Sequence, residues 1–144
     1  MANELTLVWR KSNPIPFTVA DGTGIEKGAL CKLTDPMTAA LSATNYDVIA
    51  GVAASEKIAS DGKTKLGMFR DGIFKATASG SITVGDGVVS LADANFPNYV
   101  GTAKGQNAAS GAACIGTALE TVSASETFLF ELNIGAGPAG GAAV

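Results

Sequence analysis

The sequence predicts an all-β protein: a compact sandwich or barrel-like body, β-tulip-like in outline, with extended N- and C-terminal arms. Three observations support this. Short apolar runs alternate with polar residues along the whole chain. Asp-Gly pairs, which favour tight turns because both residues accept positive φ, occur at 21–22, 61–62, 71–72 and 86–87. No long stretch carries the 3.6-residue apolar period of an amphipathic helix.

The first element is ELTLVWR, where Leu5, Leu7 and Trp9 alternate with Thr6, Val8 and Arg10. Then come PFTVA, ALCKLT, DVIAGVAAS and TKLGMFR, followed by GIFKATA, SITV, GVVSLA, YVGTA, ACIGTALET and ETFLFELNI. In the last run Phe128, Phe130, Leu132 and Ile134 point one way and Leu129, Glu131 and Asn133 the other, the period-two signature of a half-buried strand. Asp71-Gly72, between FR and IFKA, reads as the clearest hairpin turn. Ser123 and Glu126 have capping-box spacing, but the residues after them alternate as a strand, so no helix is expected there. DANFPNY has room for a single helical turn.

An internal repeat is expected. Phe17, Ile25 and Gly28 align with Phe74, Ile82 and Gly85 at an offset of 57, and ALCKL matches GVVSL with one added residue. IAGVA at 49–53 matches CIGTA at 114–118 at an offset of 65. The organisation read from this is an arm at 1–14, a β-domain at 15–134 built of units at 15–70 and 72–134, and a Gly/Ala-rich tail at 135–144. Two similar β-units packed face to face would each cover the other's apolar side.

Composition narrows the function. The 144 residues are 47% hydrophobic but only 6% aromatic, so Ala, Val, Ile and Leu must build most of the core. Charged residues are 16%, against the usual quarter, which suits a surface partly hidden in an assembly. A net charge of −3 with ten dispersed Lys and Arg does not suit nucleic-acid binding. MANELTLVWRKS has no apolar signal core, and no run of about twenty apolar residues would span a membrane. Cys31 and Cys114 lie in apolar stretches and are expected to be two buried free thiols.

Chemistry is sparse. The chain has no histidine, the commonest general base and metal ligand. Two cysteines without histidine make no usual zinc site, and no P-loop or calcium loop is present. Glu120 and Glu126, like Asp47, Glu56 and Asp61, read as solvated turn acids. Gly135, Gly137 and Gly140 in NIGAGPAG have dinucleotide-turn spacing, G-x-G-x-x-G. That motif needs a following helix to hold the pyrophosphate, and none is expected after Gly140. No catalytic residue, cofactor or metal is expected.

The candidates are for partner binding instead. Trp9 alternates with Leu5 and Leu7, which favours a place in the protein's own core. As the lone tryptophan beside Arg10 and Lys11, it is also the residue type enriched at binding hot spots. Leu5, Leu7, Trp9 and Arg10 are the N-terminal candidates, and Gly135, Gly137 and Pro138 the C-terminal ones. The tail is uncharged with little apolar bulk, and ordering it alone would cost about 1–2 kcal/mol per residue. Tail and N-terminal arm are therefore expected to lie along a neighbouring subunit as tethers.

GIEKGALCKLTD with VIAGVAA, then VGDGVVSL with CIGTALETVSASETFLFEL, resemble the tailed-phage capsid decoration, or cement, proteins over Pro16 to Ile134. The resemblance implies a small all-β protein on the outside of an expanded icosahedral head, made in the host cytoplasm. It would bridge major capsid subunits and resist internal DNA pressure. It would also self-associate, with a trimer favoured and a dimer as the alternative. No active site carries over. The competing reading is a small-ligand or carbohydrate-binding β-domain of a phage tail or cell surface, for which exposed aromatics are scarce.

Overall fold

The computed structural model describes residues 2–92, 95, 97–102 and 114–134. Among these it is all-β, with eleven strands and no helix: β1 (Thr6–Trp9), β2 (Ile15–Thr18), β3 (Leu30–Asp35), β4 (Thr38–Leu41), β5 (Ile49–Ala53), β6 (Lys65–Phe69), β7 (Asp71–Ala78), β8 (Gly87–Ser90), β9 (Tyr99–Thr102), β10 (Cys114–Ala118) and β11 (Thr127–Asn133).

Strands β2 to β6 close a barrel in the order β2-β4-β3-β5-β6, through the β2–β6 pairing. Strands β7 to β11 close a second in the order β7-β9-β8-β10-β11, through β11–β7. Step for step the two orders coincide. In each, the first and third strands in sequence run parallel, β2 with β4 and β7 with β9, and the remaining pairs are antiparallel. An isolated bridge crosses corresponding turns, Ile25 with Lys57 and Ile82 with Val122. The backbone bonds Gly28 N–H to Ala53 O and Ala53 N–H to Ala29 O in the first barrel match Gly85 to Ala118 and Ala118 to Asp86 in the second.

Two glycines let the barrels close. A Cβ on Gly51 would lie 2.6 Å from Phe69 O, and one on Gly116 only 1.8 Å from Glu131 O. Both sit where two strands approach too closely for any side chain.

The interiors differ in filling. Phe17, Ile25, Cys31, Leu66 and Met68 fill the first barrel among Ala29, Ala39, Ala50 and Ala53. Phe74, Phe128, Phe130, Ile82, Ile115 and Leu132 fill the second. The second core continues into the junction with Leu30, Ile49, Val52 and Phe69 from the first barrel, and Leu5 from the N-terminal segment. Strand β5 is buried along its whole length because it serves both cores: Ala50 and Ala53 face its own barrel, and Ile49 and Val52 the junction. Across the junction the Phe69 and Phe74 rings meet edge to face at 5.9 Å.

Three sequence expectations are corrected. None of the Asp-Gly pairs makes a tight hairpin. At Asp71-Gly72 the chain leaves β6, in the first barrel, and enters β7, in the second, so the flanking strands never pair. Asp71 and Gly72 are themselves strand residues, opposite Asn133 and Leu132; Gly72 has φ +121 and packs against Trp9 O, and the chain changes barrels at Arg70. The two-residue hairpin is β3–β4, across Pro36 and Met37, with Met37 at φ 51. The aspartates instead cap turns: Asp61 accepts Ile58 and Lys63 N–H, and Asp86 accepts Thr83 N–H. Second, Trp9 is 69% exposed rather than in the core. A β-bulge between Leu7 and Trp9 inserts Val8 as an extra residue, and one inserted residue flips all later side chains to the other face. Third, both thiols are free, but only Cys31 is buried; Cys114 is half-buried. Burial pushes the Cys31 thiol up to about 12.

Candidate partner-binding site

The N-terminal segment is tied to both barrels before it becomes a strand. Leu5 N–H donates to Gly28 O at 2.8 Å, and the Asn3 amide to Pro97 O. Asn98, buried at φ 61, donates to Ala2 O and accepts Leu30 N–H, joining the segment, the first barrel and the β8–β9 turn through one side chain. Beyond Leu5 the chain pairs with β7, Thr6 opposite Lys75 and Leu7 opposite Phe74. β7 is the only strand that β1 pairs with among the described residues, so its second edge has no strand partner.

That second edge borders a groove of about 500 Å³. Glu4, Leu5, Thr6 and Leu7 form one wall, and Lys27, Gly28, Val52, Ala53 and Ala54 the other. Phe69 and Phe74 are at the junction, and Arg10 lines the groove as well. The Arg10 guanidinium lies 5.8 Å from the centre of the Phe69 ring, a cation–π distance. It is steadied by bonds to Ser12 O and the Asn13 side chain. Ser12 donates to Asp71, and Lys11 pairs with Glu131, whose hydrogen bond raises the Lys11 amine above its usual value. Residues 10–13 are thereby clipped to the second barrel.

Of the sequence candidates, the fold brings Leu5, Leu7 and Arg10 to this groove. Leu5 is buried in the protein's own core and Leu7 is half-buried, so both contribute to the groove as its lining. Trp9 and Val8 protrude beside it, 69% and 49% exposed. Gly135, Gly137 and Pro138 lie outside the described residues. The residues that sequence reasoning missed are Lys27, Val52 and Phe69. Their grouping depends on how the two barrels meet, and no local signal carries that.

A second cleft, of about 640 Å³, lies between the turns of the first barrel and Pro97. Lys57 is at its base, fully buried, with Nζ bonded to Asp21 O, Asp21 Oδ1, Ile58 O and Asp61 Oδ1 at 2.8–3.1 Å. Burial pulls this amine's pKa down, but the bonds to Asp61 and Asp21 outweigh it, and the amine ends above its usual value. An ammonium committed to four oxygens is a pin for two turns, not a nucleophile. Three further turn acids are committed to backbone too: Asp47 accepts Ala43 and Thr44 N–H, Glu120 accepts Leu129 N–H and Glu126 accepts Ser123 N–H.

A family model described as phage cement protein matches residues 9–134. Among solved structures the chain is similar to the head fiber gp8.5 N base of bacteriophage phi29, with 15% identity, a TM-score of 0.53, and coverage of 83% of this chain and 93% of that one. At that identity the likeness is one of fold. No curated protein matches the chain.

Proposed function

Because the chain belongs to the phage cement protein family, and is thereby a structural protein of the phage head, we propose that it decorates the outer surface of an expanded head. There it bridges major capsid subunits and stabilises the shell against internal DNA pressure. The family match over residues 9–134 is the observation that carries this reading. The structure is compatible in physical terms. Two closed barrels give a stiff body, and a strand edge with exposed Val8 and Trp9 gives that body a surface to attach. Many copies of a modest contact then hold a shell by avidity.

On this reading the chain is made in the host cytoplasm and self-associates on the shell, as a trimer around a local threefold axis. Trp9 and Arg10 contact a neighbouring subunit of the shell directly. Gly135, Gly137 and Pro138 belong to a tail that tethers the body, and glycine lets such a segment lie close against another surface.

Sedimenting the purified protein with expanded, undecorated heads tests the reading. Stoichiometric pelleting is expected. A ligand that binds only the intact shell stabilises it by mass action, so decorated heads should release DNA at a higher temperature. A protein that stays in the supernatant at saturating shell concentration overturns the proposal. Density at local twofold rather than threefold axes overturns the trimer. Deleting residues 136–144 should weaken shell binding while leaving the melting temperature of the isolated protein unchanged, and unaltered occupancy would remove the tether.

A further inference from the structure

We propose that the groove beside β1 takes an extended segment of a shell protein, acidic and interspersed with apolar residues, laid along the free edge of β1 as an added strand. The inference rests on the cement reading above and goes beyond it by naming what docks and where.

The edge is the first argument. A strand without a partner presents unpaired backbone groups, and proteins usually blunt such edges with lysine, proline or a covering loop. Thr6–Trp9 contains neither lysine nor proline. The bulge at Val8 interrupts the ladder between Leu7 and Trp9, which pairs with Ile73, and leaves Val8 and Trp9 exposed, where an incoming segment would meet them next. Strand addition draws affinity from main-chain hydrogen bonds and specificity from alternate side chains.

The walls are the second argument. Half-buried Leu7 and Ala54 offer apolar contact to side chains on one face of an added strand, in front of a buried lining of Val52, Phe69 and Phe74. A groove of about 500 Å³ is within the range that holds a specific ligand.

Charge selects the occupant. The whole chain is net negative, yet this groove is lined by two cations, Arg10 and Lys27, and one acid, Glu4. Of the five N–H donors of a guanidinium, Arg10 spends two on Ser12 O and Asn13 Oδ1, which leaves donors for a carboxylate. An acidic segment gains from both cations. A second copy of this chain, paired edge to edge about a twofold axis, would set residue i against residue j and j against i, and a cross-link from residue 6 separates that outcome from a shell segment.

The test uses the full protein and undecorated expanded heads. The substitution Thr6→p-benzoylphenylalanine places a photo-crosslinker on the exposed face of β1, and the same substitution at Ser123, on a distant turn of the second barrel, is the control. After co-sedimentation and irradiation, digestion and mass spectrometry identify the joined peptide. The expected product joins residue 6 to an acidic stretch of a shell protein, absent from the control. Separately, Lys27→Glu should weaken shell binding at least about tenfold while Lys27→Arg retains it. Thermal melts of the free variants check that both are folded. Protein that pellets normally but cross-links from residue 6 to a second copy, to a neutral or basic stretch or to nothing overturns the inference and leaves the cement reading standing. Unchanged binding by a folded Lys27→Glu also overturns it. A wild-type protein that fails to pellet overturns the cement reading and this inference with it.

Discussion

The two barrels share strand order, pairing directions and bridge positions, yet they are stabilised differently. The second relies on bulk: Phe74, Phe128 and Phe130 meet in its interior, and the Phe128 and Phe130 rings pack at 5.9 Å. The first has one interior phenylalanine, Phe17, with Ile25, Leu66 and Met68 among four alanines. It adds a charged device at the position corresponding to Val122, where Lys57 is pinned between Asp21 and Asp61. A common topology thus leaves the choice of filling open. The strand ladder specifies where side chains point, and either aromatic volume or a satisfied ion cluster can occupy the space it encloses. The ion cluster works only because every buried polar atom of Lys57 has a partner.

Deleting an interior side chain sharpens this comparison most. Phe130→Ala should cost about 4 kcal/mol, and Met68→Ala in the first barrel about 2–3, because a site lined by small residues relaxes around a smaller cavity. Urea denaturation monitored by Trp9 fluorescence and by circular dichroism measures both. Equal losses would show that the two interiors are mechanically equivalent.

Next in size are the paired glycines of close approach. Gly116→Ala, with its Cβ at 1.8 Å from Glu131 O, should cost about 3 kcal/mol, and Gly51→Ala, at 2.6 Å from Phe69 O, about 2. The reverse order would mean that the strands of the second barrel separate more easily than those of the first.

A smaller contrast comes from the turns. Gly28 and Gly85 have φ +88 and +91, so alanine strains both. Space around them differs: a Cβ on Gly28 would lie 2.4 Å from Leu5 O, and one on Gly85 meets nothing within 4 Å. Gly85→Ala should cost about 1 kcal/mol from backbone strain alone, and Gly28→Ala about 2 because it also displaces the N-terminal segment. If the two melt alike, Leu5 is not held against Gly28 in solution.

The smallest effect is a pH dependence confined to the first barrel. The hydrogen bond from Lys57, helped by the Lys63 N–H, holds the Asp61 carboxyl down at about 2 from 3.8. A depressed folded-state value means stability that is present above 3.8 and lost as the pH falls towards 2. Asp61→Asn should therefore melt below the wild type at pH 6, with the gap closing as the pH drops to about 2. A gap that persists unchanged at pH 2 would show that Asp61 acts through packing rather than charge.

Much of the strand content is legible in the sequence because alternation is a local property. Phe128, Phe130 and Leu132 in β11 read as one buried face, and they form one. Legibility ended where a single residue changed phase or where partners were remote. Val8 looks like any alternating residue, yet as a bulge it moves Trp9 from core to surface, and bulging depends on the β7 strand it faces. Asp71-Gly72 has the residue types of a hairpin turn, but both residues are paired within β7, because β11 offers them partners that lie far along the chain. Nothing in the sequence around Lys57 signals burial, which requires Asp21, thirty-six residues away, to bring an acid and a carbonyl to the same point.

By itself, then, the sequence determined an all-β fold, most of the strand positions (β4 had no run of its own, and SITV forms only an isolated bridge at Ile82), the absence of histidine chemistry, and a likeness to cement proteins that the family match bears out. These follow from residue type and short-range period, which need no knowledge of neighbours. Tertiary structure alone decided that two closed barrels share a junction served by β5, that Trp9 faces outward, and that Arg10 and Lys27 flank one apolar groove beside an open strand edge. Each of these depends on residues far apart in the chain, and only closure of both barrels brings them together.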